Sequence, residues 1–155
     1  MPKRSAGLLL YRRITPVAEV LLVHPGGPLW AKKDAGVWSV PKGEYDAATE
    51  DAWATALREF EEEIGQAPPT GTPLDLGECT QKSGKVVRCF AIEADVDVSS
   101  INSNTFEMEW PPRSGRREAF PEVDRAEWMT IDEARTKLNP AQCVLLDALA
   151  VALED

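Results

Sequence analysis

Gly43-Glu44-Tyr45-Asp46-Ala47-Ala48-Thr49-Glu50-Asp51-Ala52-Trp53-Ala54-Thr55-Ala56-Leu57-Arg58-Glu59-Phe60-Glu61-Glu62-Glu63-Ile64-Gly65 carries two patterns at once. From Thr49 onward, residues placed about 100° apart put Trp53, Leu57, Phe60 and Ile64 within one narrow arc, the apolar stripe of a helix that buries one side. Thr49 is the expected N-cap, Glu50 and Asp51 fall in the favourable first turn, and Gly65 followed by Pro68-Pro69 is the expected stop. Such a helix is about four turns long. Within it Glu59, Glu62 and Glu63 stand at i, i+3 and i+4, so three carboxylates share one side and can converge on one point. Hard divalent cations prefer oxygen ligands, keep several waters and are held by a few carboxylates together with substrate phosphates. A lone acidic run on a helix is ordinarily a solvated face, so the surroundings decide between the two readings.

Upstream of the helix, Ala6 to Arg12 and Ala18 to His24 are short runs rich in Leu and Val, read as adjacent strands joined by a turn at Thr15-Pro16. Pro25-Gly26-Gly27-Pro28 forces a loop. Val37 to Val40 is read as a further strand, ended by Pro41-Lys42-Gly43. Downstream, Leu74 to Gln81 and Lys85 to Asp95 form a hairpin around Ser83-Gly84, and Thr105 to Trp110 alternates as a half-buried strand does. Pro111 to Arg117 is a loop with three arginines. Glu127 to Thr130 is a last strand, followed by helices over Ile131 to Leu138 and Pro140 to Leu153.

The 155 residues suit one domain over 1–155. With 43% hydrophobic and 28% charged residues the composition is that of a folded protein. A net charge of -9 argues against binding to a nucleic acid polymer, where a basic face is expected. The acidic excess gathers between Glu44 and Glu63, an arrangement that is costly unless something positive arrives there. Cys79, Cys89 and Cys143 lack metal-type or redox-type spacing and read as reduced, mostly buried thiols of a cytoplasmic protein. No run approaches the roughly 20 apolar residues of a membrane span, and the first apolar run is read as a strand and not as a signal peptide. His24 is the only histidine, so no His-based triad or His-rich zinc site can be assembled, and beside Pro25 it reads as a structural loop residue. Among the tryptophans, Trp53 and Trp128 are expected in the core, whereas Trp30, Trp38 and Trp110 are open to stacking on a base.

The segment from Gly43 to Gly65 closely resembles the Nudix box: Gly, five residues, Glu, seven residues, then Arg-Glu-apolar-any-Glu-Glu-any-Gly-apolar. Glu50, the seven-residue spacer, Arg58, Glu59, Phe60, Glu62, Glu63 and Gly65 match. Six residues separate Gly43 from Glu50 where the pattern has five, and Gln66 takes the last apolar place. The resemblance implies an α/β Nudix fold with a mixed β-sheet sandwiched between α-helices. It implies divalent cations, Mg2+ or Mn2+ in its place, on Glu59, Glu62 and Glu63, with the Gly43 carbonyl as a further ligand and Arg58 pairing with Glu50 or orienting a metal-binding carboxylate.

The implied activity is hydrolysis of a diphosphate linkage in a nucleoside diphosphate derivative such as a dinucleoside polyphosphate, a nucleoside triphosphate or ADP-ribose. Glu62 and Glu63 would serve catalysis through the metal. The general base is sought at Glu107 or Glu109, one of which is expected to point inward, with Glu118 next in line. Lys42, in a Pro-Lys-Gly lead-in like that of Nudix enzymes acting on dinucleoside polyphosphates and inositol diphosphates, is a candidate phosphate ligand. Arg113, Arg116 and Arg117 are candidate clamps on further phosphates. The rival class is a Nudix-fold nucleotide-binding or regulatory module without catalysis. Such modules lose box carboxylates, and here all stand.

Overall fold

The computed structural model describes residues 2–14 and 16–154. Its centre is β1 (Arg4–Arg12), whose residues are almost all buried, as expected for a strand covered on both faces. β1 runs parallel to β5 (Val86–Glu93), which pairs antiparallel with β4 (Leu74–Thr80) around the expected turn at Gly84. On its other side β1 has two antiparallel neighbours. Its first half pairs with β3 (Lys42–Tyr45), from Gly7↔Lys42 to Arg4↔Tyr45, and its end pairs with β2 (Glu19–Pro25) at Tyr11↔Val20 and Arg12↔Glu19. β2 continues the sheet to β8 (Val123–Thr130). A separate two-stranded ribbon joins β6 (Thr105–Glu109) to β7 (Arg117–Pro121).

Alternation along β1 and β2 builds two core layers. Ala6, Leu8, Leu10, Leu21 and Val23 meet Ala56, Phe60 and Ile64 of α1 (Ala52–Ile64). Leu9, Tyr11, Val20 and Leu22 belong to the opposite layer, with Ala134 of α2 (Ile131–Lys137) and Leu145, Leu146 and Leu149 of α3 (Cys143–Ala152). The sheet is therefore mixed and lies between helices, the α/β architecture read from the sequence. Among the described residues no helix is long and apolar enough to cross a membrane.

Several boundaries differ from the sequence reading. Val37 to Val40 forms only isolated bridges, Trp38 to Leu138 and Ser39 to Val23. The strand begins instead at Lys42, where long-range pairing with β1 captures the segment expected to break it. Helix α1 starts at Ala52, because Asp51 and not Thr49 supplies the cap, its carboxylate accepting from Ala54 N–H at 3.0 Å. The buried arc consequently centres on Thr55, Ala56, Phe60 and Ile64, and Trp53 and Leu57 are only half-buried at its flank. Trp128 is half-buried too, under the Arg12 guanidinium, whereas Trp38 is a core residue. β7 lies in a stretch given no element above, β8 begins earlier than Glu127, and Pro140 to Gln142 is a short 3-10 turn ahead of α3.

Gly65 ends α1 as expected, with φ 83° and its N–H donating to the Glu61 carbonyl at 2.8 Å, the left-handed cap that glycine adopts without penalty. A Cβ there would also approach the Asn102 carbonyl oxygen to 2.5 Å. Gly65→Ala should therefore lower the unfolding free energy by at least about 1–2 kcal/mol, the usual cost of the left-handed region for an L-residue, read as a lower urea midpoint with an unchanged slope.

Candidate active site

Phe60 and Ile64 each bury a large apolar side chain, worth about 1.5–3 kcal/mol, and so fix the rotation of α1. That rotation turns Glu59 and Glu63 toward the β3 edge and leaves Glu62 on an adjacent hollow with Asn102 and Asn104. Arg58, exposed on the neighbouring face, ties them together: Nη1 donates to Glu50 at 3.0 Å, while Nη2 and Nε lie 3.8 Å from Glu59 and Glu62. The expected pairing of Arg58 with Glu50 is present, and its guanidinium also lies beside Glu59 and Glu62. Glu50 also accepts from Asp46 N–H at 2.9 Å, and this bond with the arginine holds its carboxyl below the usual range.

Where β3 passes α1, the Glu59 carboxylate occupies the space that a side chain at residue 43 would take. A Cβ on Gly43 would lie 1.9 Å from the Glu59 carboxyl carbon, so any side chain here would displace the Glu59 carboxylate from its place. One residue earlier, Lys42 N–H donates to Glu63 Oε1 at 3.3 Å. Glu63 and Lys42 also line one small hollow with Pro25, Ser39 and Glu122, and Gly43, Glu59, Lys42 and Glu122 line the adjoining one. Burial, helped by Lys85, lowers the affinity of the Lys42 ammonium for its proton. Among the described residues no carboxylate stands within ion-pairing distance of that ammonium.

Glu122 is the residue that sequence reasoning missed. It occupies the turn between β7 and β8, and two main-chain bonds in series bring it to the helix while a third ties it to Gly26 just after β2. Asn104 N–H donates to the Glu62 carbonyl at 2.8 Å, Glu122 N–H to the Asn104 carbonyl at 2.8 Å, and Gly26 N–H to the Glu122 carbonyl at 2.9 Å. No periodicity marks such a position; only the three-dimensional turn does. Burial and the neighbouring Glu62 raise its carboxyl above the usual range. The same physics is stronger on the helix. Burial, with Glu62 alongside, pushes Glu59 up to about 7. Burial pushes Glu63 up to about 8 despite the pull of Lys42, with Glu59 and Glu122 adding to the rise. Carboxylates crowded out of water in this way await a positive charge.

The remaining expected site residues lie elsewhere. Glu107 and Glu109 share one face of β6, and both are exposed, contrary to the expectation that one points inward. The half-buried face of β6 is the other one, formed by Phe106 and Met108 with Phe106 packed against Phe120, so both glutamates fall on the exposed face. Glu107 lies 3.9 Å from Arg117, and Glu109 accepts from Arg113 N–H at 2.9 Å. Glu118, Arg113, Arg116 and Arg117 are exposed along the same ribbon, and none borders the hollows beside Glu59 and Glu63. His24 is not in a loop but fully buried in β2. Trp38 is closed to a ligand, its indole N–H donating to Asp34 at 2.8 Å, whereas Trp30 is partly exposed beneath Lys33.

Among the described residues no three acidic, histidine or cysteine side chains form a ready-made metal cage. The donor set nonetheless fits a hard cation. It is all oxygen and open to one side, and burial raises the proton affinity of Glu59 and Glu63, an effect that a divalent ion would reverse.

The Glu63 shift has a definite sign. The native state binds its proton more tightly than the unfolded chain, so stability falls as pH rises between about 4.5 and about 8. Below that window both states are protonated and nothing is lost; above it the penalty is complete. Glu63→Gln, which keeps the acceptor for Lys42 N–H, should melt with the parent at pH 4 and above it at pH 8, both in chelator. An equal shift at the two pH values would contradict the buried carboxylate.

The NUDIX domain family model matches residues 1–149. No curated protein matches the chain at a significant level. The solved structures include similar folds at low identity. A Caenorhabditis elegans Ap4A hydrolase in a binary complex superposes with a TM-score of 0.66 at 20% identity, over 96% of this chain and 97% of that one. The NUDIX domain of Shewanella oneidensis NrtR, complexed with ADP ribose, gives 0.66 at 17% identity over 99% and 89%. The C-terminal domain of mouse MUTYH, in a complex with human PCNA, gives 0.63 at 16% over 98% and 90%. The box read from the sequence and the family match over nearly its whole length agree: the chain belongs to the Nudix family.

Proposed function

We propose that the protein hydrolyses a diphosphate linkage in a nucleoside diphosphate derivative, using Mg2+, or Mn2+ in its place. The observation that carries this reading is the crowding of Glu59, Glu63 and Glu122 around the bare backbone of Gly43, with Lys42 beside them. Glu59, Glu62, Glu63 and the Gly43 carbonyl would hold the ion. When bound, it would neutralise diphosphate oxygens and make the attacking water more acidic.

The protein's own groups then divide the remaining work. Arg58 holds Glu59 and Glu62 in place from the solvent side, and Lys42 N–H fixes Glu63 from the strand side. The Lys42 ammonium, free of any carboxylate among the described residues, donates to a phosphate oxygen. Glu122 replaces Glu107 and Glu109 as the proposed general base. It faces the helix glutamates across the hollow, and its raised proton affinity suits a group that must take a proton from water near neutral pH. The nematode protein is an Ap4A hydrolase and the bacterial domain is complexed with ADP ribose, which makes dinucleoside polyphosphates and ADP-ribose the first compounds to try, with nucleoside triphosphates beside them.

Turnover of such a panel should require added Mg2+ and stop in excess chelator; full turnover in chelator would rule out the metal. Binding without any hydrolysis in Mg2+ would support the non-catalytic module. On a working substrate, Glu122→Gln should lower kcat on the order of 10²-fold or more, with KM little changed. The same substitution at Glu107 and at Glu109 should leave kcat intact.

A further inference from the structure

β2 and β8 slip register where they reach the site. His24 pairs with Arg125 and Pro25 with Val123, so Asp124 has no partner in the ladder and is the extra residue of a β-bulge. Bulges beside sites re-aim neighbouring side chains. Here the bulge is captured from inside the protein. The ring of His24, completely buried, places one nitrogen 2.8 Å from Asp124 Oδ1 and the other 2.7 Å from the Lys33 carbonyl oxygen. Trp38 packs edge-on against that ring at 5.2 Å, and the Arg125 guanidinium covers Trp38 and lies 3.9 Å from Asp124.

The pinned residue is two along the chain from Glu122, and the pinning residue is two along from Gly26, whose N–H holds the Glu122 carbonyl. Gly26 is pressed so closely on this segment that a Cβ would lie 2.0 Å from the Pro121 carbonyl oxygen. The two chain segments are thus locked at Gly26–Glu122 and again at His24–Asp124, where the bulged residue itself forms the second lock. We propose that His24 and Asp124 form a positioning pair for Glu122, fixing the bulge that turns its carboxylate toward the helix glutamates. The inference rests on the reading of Glu122 as general base. Neither His24 nor Asp124 touches substrate; both act through the backbone that carries Glu122.

A structural role alone would cost stability and lower activity in any background, whereas positioning of Glu122 has value only while Glu122 works. The test is therefore a double-mutant cycle on whichever of diadenosine tetraphosphate, ADP-ribose and a nucleoside triphosphate the protein hydrolyses in Mg2+. Asp124 is partly exposed, which makes Asp124→Ala the safer first variant, with folding checked by thermal melts. It should lower kcat about 10-fold to 100-fold, the scale of a misplacement near 1 Å, with KM within about twofold of the parent. Asp124→Asn, which keeps an oxygen acceptor for the ring, should recover kcat to within a few-fold. In a Glu122→Gln background Asp124→Ala should cause no further loss. Should Asp124→Ala be silent, or cost the same factor with Glu122 already replaced, the positioning role is overturned and the base assignment stands. Should Glu122→Gln itself be silent, or should none of the three compounds be hydrolysed, the base reading fails and this inference falls with it.

Discussion

Like charges held close together, Glu59 and Glu63 of them largely out of water, set the terms for the rest of this structure. Glu59, Glu62, Glu63 and Glu122 come from a helix and a distant turn, and Glu59, Glu62 and Glu122 each raise the cost of ionising a neighbour. Nothing local to the helix would keep them so, since like-charged neighbours at i, i+4 favour separation by about 0.2–0.5 kcal/mol. Burial of Phe60 and Ile64 on the opposite side outweighs that by several-fold and denies the helix the rotation that would relieve it. The cost is then softened piecemeal, by the Arg58 fork and by Lys42 N–H. The acids are thus held together at a cost that the rest of the fold absorbs, which is the strain a positive ligand would relieve under the proposed function.

How much of this was legible depended on the range of the interaction concerned. Phe60, Ile64 and the Gly65 stop follow from helical period, and the β4–β5 hairpin from its turn, because those features are decided within a few residues. The convergence of Glu59, Glu62 and Glu63 on one side follows from the same period. The N-cap slipped from Thr49 to Asp51 since two good caps stood two residues apart and the turn at Asp46, which accepts from both Thr49 N–H and Glu50 N–H, chose between them. β3 could not be placed by pattern, being a short segment that becomes a strand only by pairing with β1. Glu107 and Glu109 illustrate a different limit. Alternation states that they share a face, yet whether that face is inner or outer depends on which sheet the strand joins. Glu122 lay beyond reach for the same reason, as its place is set by Asn104 and Gly26, 18 and 96 residues away along the chain.

The extra residue between Gly43 and Glu50 shows which of the box's distances matter. If the number of residues were the constraint, an insertion would drag Gly43 away from Glu59 or Glu50 away from Arg58. Neither happens. Gly43 still lies against the Glu59 carboxyl, and Glu50 still receives Arg58 at 3.0 Å. The additional length is taken up between them, where Asp46 accepts from Ala48 N–H with its side chain and from Thr49 and Glu50 N–H with its carbonyl, folding the connection into a compact turn. Each clamp is anchored by something other than the connection. Gly43 is fixed by its ladder to Ala6 in β1, and Glu50 by Arg58 on the helix and by Asp46 N–H. A surface turn tolerates one residue more at little cost, because loop-closure entropy grows only slowly with length, whereas a single methyl group at Gly43 would have to displace the Glu59 carboxylate. The motif is thus a set of contacts held from two sides, and its sequence spacing follows from those contacts.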